Sequence, residues 1–252
     1  MATFISTYAT DFNQLNIIHQ LVQNGYAVID NLIANPIELQ QLLAEATAAS
    51  TSSTQSILIK TNQSSDIRRD LTHDVDPLDI EKLPHIAKAS RTLQFNIGGI
   101  IDTFLPSPLY CRERPQFACY KGDGSFYTRH YDNPRLLQNG VDNLRRVTIL
   151  LYLNEDWNAE ESGGELRLHV KNKDVLDVKI SPQANRCVLF FSDLIEHEVL
   201  PSHGHRLALT VWLSELMADP ESGLKKEISK NDQLMRDFFV GCCGKVSSGG
   251  GK

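Results

Sequence analysis

The chain has 252 residues, 41% of them hydrophobic and 22% charged, with a formal net charge of -6. That balance suits a globular protein large enough to bury one sizeable core, and its acidity argues against nucleic acid, which wants a basic footprint. No apolar stretch is long enough to span a bilayer, and the start lacks the basic-then-apolar pattern of a secretory signal, so no membrane association is expected. The five cysteines, Cys111, Cys119, Cys187, Cys242 and Cys243, are odd in number and irregularly spaced. They argue against a disulfide framework and for a reducing compartment, cytoplasmic or also nuclear. A monomer is expected.

In chain order, Phe12, Leu15, Ile18 and Leu21 recur at helical spacing between an Asp11 cap and a Gly25 stop. A short strand over 26–30 follows. Asn35 and Pro36 open a second helix, running through Leu39, Leu42, Leu43 and Ala46 to about Ala49. Residues 50–65 are polar around Ile57–Ile59 and read as a mobile loop or hairpin over a site, or simply as a surface loop. The stretch 67–84 is polar and irregular. A third helix spans 84–105, with Ile86, Ala89, Leu93, Ile97 and Ile101 facing a core, local loosening at Gly98 and Gly99, and a stop at Pro106 and Pro108.

From 114 to 213 the pattern changes to short runs rich in β-branched and aromatic residues. Strands are predicted at 116–121, 126–131, 145–153, 165–170, 174–180, 186–191, 197–200 and 205–213. Helices first and strands after predict an α+β fold: a jelly-roll core, a double-stranded β-helix, with the N-terminal helices packed on one sheet. The expected organisation is one domain over 1–213 (helical support 11–105, jelly roll 114–213), a helical extension over 214–240 and a disordered tail over 241–252 carrying Cys242 and Cys243.

The chemistry concentrates at His130 and Asp132. Two residues apart in an extended chain, they point to the same side. A second histidine, His197, arrives on a separate strand. Two imidazoles and one carboxylate form the ligand set of a non-haem Fe(II) site with open positions. Asp193 is a further possible ligand by spacing. Glu198 should face away from the metal by strand alternation, and the remaining histidines read as surface or structural residues.

Strand phasing adds a second group. On 205–213, Arg206, Ala208, Thr210 and Trp212 share one face; on 145–153, Arg146, Thr148, Leu150 and Tyr152 do. Each opposite face is almost purely apolar and belongs against the helices or the other sheet. The mixed faces suit a pocket lining. A buried arginine needs an anion. For Arg206 that is either a protein acid at the strand start or a ligand carboxylate supported by the Tyr152 hydroxyl, as a 2-oxoglutarate site requires.

Taken together, these residues make the chain resemble the 2-oxoglutarate- and Fe(II)-dependent prolyl 4-hydroxylases, most closely their oxygen-sensing cytosolic branch, over about Ile67–Leu213. The resemblance rests on His130, Asp132, His197 and Arg206 in order. It extends to Tyr120 and Tyr127 around a Gly-x-Gly turn, Tyr152 to Trp157, Ser162-Gly163-Gly164 with Leu166, Phe190 to Asp193, His197 to Pro201, and Thr210 with Trp212. It implies iron on His130, Asp132 and His197, and 2-oxoglutarate against Arg206, Tyr152, Tyr120, Thr210, Trp212 and Leu166. It also implies an Asp70–Arg145 pair that ties a substrate loop to the barrel, ascorbate as reductant, and a proline-containing protein as substrate, hydroxylated at C4 with O2 while 2-oxoglutarate becomes succinate and CO2. Other readings on the same residues are an oxygenase acting on a lysyl residue, a small molecule or a nucleobase, a non-enzymatic cupin-like binding module, and a zinc hydrolase.

Overall fold

The computed structural model describes residues 14–51, 58–76, 78, 81–105, 108–170 and 177–215. Helix α1 (Gln14–Asn24) ends at Gly25, whose φ of 79° is open to glycine and whose N–H returns to Leu21 O at 2.9 Å. Its buried stripe is Ile17 and Leu21, while Leu15 is 70% exposed. The expected stripe through Leu15 is therefore out of phase, and Asp11 and Phe12 lie outside the described residues. Strand β1 (Tyr26–Ile29) leads to α2 (Pro36–Thr51). Asn35 caps α2 as expected, its Oδ1 accepting from the N–H groups of Ile37 and Glu38.

Short strands β2 (Ile59–Lys60) and β3 (Leu71–Asp74) follow. β3 falls in the stretch expected to be irregular: Leu71-Thr72-His73-Asp74 carries little apolar signal and becomes a strand by pairing with β5. The predicted third helix is three pieces: α3 (Pro84–Thr92), a π turn (Leu93–Ile97) and α4 (Gly98–Asp102). Its apolar face is as expected, with Ile86, Ala89, Leu93, Ile97 and Ile101 all buried. The first turn of α3 is capped from α2, where the Glu45 carboxylate accepts from the N–H groups of His85 and Ile86. Gly98 allows a close approach, since a Cβ there would lie 3.1 Å from Leu213.

Strand β4 (Leu109–Tyr110) is two residues long and escaped the sequence pattern. Next come β5 (Gln116–Lys121), β6 (Ser125–His130), β7 (Arg145–Tyr152), the turn α5 (Ala159–Ser162), β8 (Leu166–His169), β9 (Val178–Ile180), β10 (Cys187–Phe191), β11 (Glu196–Ser202) and β12 (His205–Glu215). All eight predicted strands are present. The expected helical extension over 214–240 does not begin at 214, because Ser214 and Glu215 continue β12 by pairing with β4; its remainder, the tail with Cys242 and Cys243, and 174–176 lie outside the described residues.

The strands form two antiparallel sheets. The large one runs β1-β10-β7-β12-β5-β3-β2, with β4 beside β12; the small one runs β6-β11-β8-β9. This is the double-stranded β-helix, with the helices packed on the large sheet. The apolar faces of β7 and β12 behave as their alternation predicts. Val147, Ile149 and Leu151 with Leu207, Leu209 and Val211 pack against Leu21, Leu42 and Ile86 of the helices in one cluster. The other side of the large sheet meets the small sheet through Tyr120, Tyr152, Phe190, Leu166 and Leu168. The site opens between those two layers. Cys111, Cys119 and Cys187 are free thiols, and no described helix is long and apolar enough to cross a membrane.

Candidate active site

His130 ends β6 and His197 lies on β11, directly opposite each other in register. Asp132 follows two residues after His130. The ligand atoms of these three side chains lie within 4.8 Å of one another, the only such cluster among the described residues. Asp132 Oδ1 is 3.7 Å from His130 Nε2, and Oδ2 is 3.9 Å from His197 Nε2. Both rings turn Nδ1 to the backbone carbonyl two residues earlier, Thr128 O at 2.7 Å and Ile195 O at 3.2 Å. A carbonyl only accepts, so each Nδ1 carries the proton and each Nε2 lone pair faces Asp132. Burial lowers the His197 pKa to about 4, keeping the ring neutral. Burial alone would keep Asp132 protonated, but hydrogen bonding and positive charge beside it, Arg145 included, hold the carboxyl far below its usual range.

Asp132 is oriented by two donors to the same oxygen, Thr148 Oγ1 at 2.6 Å and Trp212 Nε1 at 3.1 Å. Arg145 stacks on Trp212 at 4.0 Å and places Nη1 3.9 Å from Asp132 Oδ1. Thr148 and Arg145 are site residues that the motif did not assign. For Thr148 the signal was its place on the mixed face of β7. For Arg145 strand alternation misled: the register shifts between Leu213 and Ser214, and Arg145 turns into the cavity. Arg146, expected on the lining, leaves it and pairs with Asp142 and Glu215. Tyr127 also reaches the site against simple alternation. Two residues on β11, His197 to Val199, span three on β6, His130 to Tyr127, so an extra residue in β6 brings Tyr127 onto the same face. It stacks on His130 with centroids 3.8 Å apart, and Arg68 lies 4.2 Å above it.

A cavity of about 290 Å³ leads from this cluster to Arg206, lined on the way by Tyr120, Leu166, Thr210 and Trp212. Arg206 is 2% exposed and has no carboxylate partner among the described residues; its one well-formed hydrogen bond runs from Nε to Gly164 O at 2.8 Å. Among the described residues no acid, at the strand start or elsewhere, takes the place of a ligand carboxylate at Arg206. Its guanidinium lies 4.8 Å from the Tyr120 ring and 5.1 Å from the Tyr152 ring. Tyr152 stands behind the arginine rather than on the cavity wall, its Oη enclosed without a well-formed hydrogen bond. Burial raises its phenol to about 12, against the pull of Arg206. A buried guanidinium with no acid among the described residues, at the far end of a cavity, fits an incoming carboxylate.

One implied contact is corrected. Asp70 does not pair with Arg145: it is taken by Arg68, at 2.6 and 2.5 Å, while Arg145 forms a two-point ion pair with Glu113. Short range decides it, because Arg68 sits two residues from Asp70 on the same edge. Asp193 is not in the cluster; it pairs with Arg135 at 2.5 Å. Glu198 faces away, toward Arg167 and His169.

Two imidazoles and a carboxylate, at one end of a cavity whose far end holds a guanidinium with no acid among the described residues, have the donors to hold a metal ion and a carboxylate in a double-stranded β-helix. Residues 115–214 match the family model described as the 2OG-Fe(II) oxygenase superfamily. The chain is 38% identical over 141 residues to human "Egl nine homolog 1", covering 51% of this chain and 31% of that protein. The chain thus spans about a third of that relative's length. Among solved structures it is similar to a Trichoplax adhaerens prolyl hydroxylase in complex with a hypoxia inducible factor peptide fragment (TM-score 0.68, 26% identity, 88% of this chain and 91% of that one). A Pseudomonas putida prolyl-4-hydroxylase is also similar (TM-score 0.64, 26% identity, 81% of this chain and 100% of that one).

Proposed function

We propose that the protein is a 2-oxoglutarate- and Fe(II)-dependent prolyl 4-hydroxylase acting on a proline in a protein substrate. The observation that carries it is the pairing of the His130, Asp132 and His197 cluster with an Arg206 that lacks an acid, in a chain similar to prolyl hydroxylases. Iron held by those three side chains, with 2-oxoglutarate as the electron donor that leaves as succinate and CO2, would supply the O2 chemistry. The chain supplies the rest. His130 and His197 turn Nε2 into the site, burial keeps His197 neutral, Asp132 stays ionised, and Thr148 and Trp212 fix its orientation. Arg206 anchors the far carboxylate, leaving the 2-oxo end toward the triad. Tyr127 and Arg68 wall the site beside His130, where the substrate C–H must be brought close and shielded from water.

Ascorbate as reductant, an intracellular setting and oxygen sensing belong to the same proposal, the last through a dependence of turnover on O2. The test is a proline-containing peptide library with Fe(II), 2-oxoglutarate and ascorbate, read by succinate release and by tandem mass spectrometry. A proline that gains one oxygen at C4, with His130→Ala and Asp132→Ala both inactive, is the expected result. Oxygen on lysine instead, or full activity in either variant, would reject the assignment.

A further inference from the structure

Two motifs carry no role in the site so far: the turn around Trp157 and the Ser162-Gly163-Gly164 run. The structure puts them together behind Arg206. Gly163 and Gly164 have φ of 58° and 70°, a region that disfavours side chains, and a Cβ on Gly164 would meet Ser202 Oγ at 2.7 Å and the Trp157 ring at 3.1 Å. The run docks on the turn before β12, with Gly164 N–H to Pro201 O at 3.0 Å and His203 N–H to Ser162 O at 2.7 Å. The far edge of the Trp157 ring lies where a Cβ on Gly204 would be, 2.9 Å away, two residues before Arg206. In this packing two consecutive carbonyls are assigned. Gly163 O accepts from Trp157 Nε1 at 3.0 Å, and Gly164 O accepts from Arg206 Nε at 2.8 Å.

We infer that the Trp157–Gly163–Gly164 turn is the positioning seat of Arg206 and sets the preference of the site for a 2-oxo dicarboxylate over a 2-oxo monocarboxylate. This rests on the proposed 2-oxoglutarate site and deepens it. With Nε occupied by Gly164 O, only the terminal amino groups remain for a carboxylate, so the ligand meets the end of the fork. The seat fixes how far that end stands from the triad, and hence the chain length between the two carboxylates that fit. A displacement of 1 Å at such a contact is worth up to about a hundredfold. Trp157, Gly163 and Gly164 touch neither ligand nor metal and act through Arg206 alone.

The test uses the full chain loaded with Mn(II) without O2, titrated calorimetrically with 2-oxoglutarate and with 2-oxobutyrate, which lacks the far carboxylate. Wild type is expected to prefer 2-oxoglutarate by on the order of a hundredfold, since charge-assisted hydrogen bonds to the far carboxylate are lost with the monoacid. Trp157→Phe removes the N–H together with the outer ring edge that packs on Gly164 and Gly204; it should cut that preference about tenfold, and Gly164→Ala by more. Mn(II) and 2-oxobutyrate affinities should hold. An unchanged preference in Trp157→Phe overturns the inference, and so does a parallel loss of Mn(II) and 2-oxobutyrate binding, which is what a merely structural turn predicts. If Gly164→Ala does not fold, Trp157→Phe decides alone. A wild type without preference for 2-oxoglutarate refutes the functional reading itself.

Discussion

Thr148→Val probes the ligand carboxylate with minimal change in shape. Thr148 is 1% exposed, and its Oγ1 donates to Asp132 Oδ2 at 2.6 Å while sharing a 2.9 Å hydrogen bond with Ser192 Oγ. Valine fills the same volume without the donor. Two effects oppose each other. Losing a donor makes the carboxylate more basic and a stronger metal ligand, but it also frees the carboxylate to rotate. Asp132 stays ionised in either case, because the Arg145 charge remains beside it. Orientation should win, since outer partners of metal ligands are worth about 10–100-fold in affinity. Trp212 Nε1 still holds the same oxygen at 3.1 Å, which points to the lower end, about tenfold. The unfilled Ser192 hydroxyl should cost about 1–2 kcal/mol of stability. Mn(II) titration calorimetry reads the first number and urea unfolding the second. Adding Trp212→Phe removes both donors and should bring the loss near a hundredfold. A Thr148→Val dissociation constant within about twofold of wild type, or a tighter one, would refute the claim that these donors orient Asp132.

Arg135→Met should destabilise the protein by about 3–5 kcal/mol in urea unfolding, because it strands the buried Asp193 carboxylate that Arg135 holds at 2.5 Å. Asp193→Asn on top should recover part of that loss; no recovery means the pair is not the cause. The metal-free protein should lose stability as pH falls from about 6.5 toward 4, because His197 titrates near 6.5 unfolded and near 4 folded, so the unfolded chain binds the extra proton in that window. The full shift corresponds to about 3 kcal/mol, present above pH 6.5 and lost progressively below it. His197→Gln should flatten the profile there, and an equally steep profile in that variant rules His197 out as its source.

Much of the site was readable because His130 and His197 sit on strands and Asp132 follows just past the end of one. The two-residue spacing of His130 and Asp132 and the phase of Arg206, Thr210 and Trp212 on β12 are local properties, and the structure keeps both. Misreadings fall where periodicity is interrupted. An extra residue in β6 brings Tyr127 beside His130, and a register shift at the end of β12 accompanies Arg145 turning inward. Neither leaves a mark in composition. The same holds for β3, which becomes a strand through its neighbour β5, and for the π turn inside the third helix. The stripe of α1 was placed on Leu15 although Ile17 is the residue the core takes, because Phe12, Leu15, Ile18 and Leu21 and the stripe through Ile17 overlap at Leu21.

The sequence by itself determined the kinds of ligand available, their order, the strands that carry them and the faces those strands turn to the helices, since each follows from alternation along a few residues. Only the tertiary structure decided which charges meet: Asp70 with Arg68, Glu113 with Arg145, and no acid among the described residues with Arg206. Pairing is a question of distance in space. An arginine left without an acid becomes visible only when the segments around it have been placed.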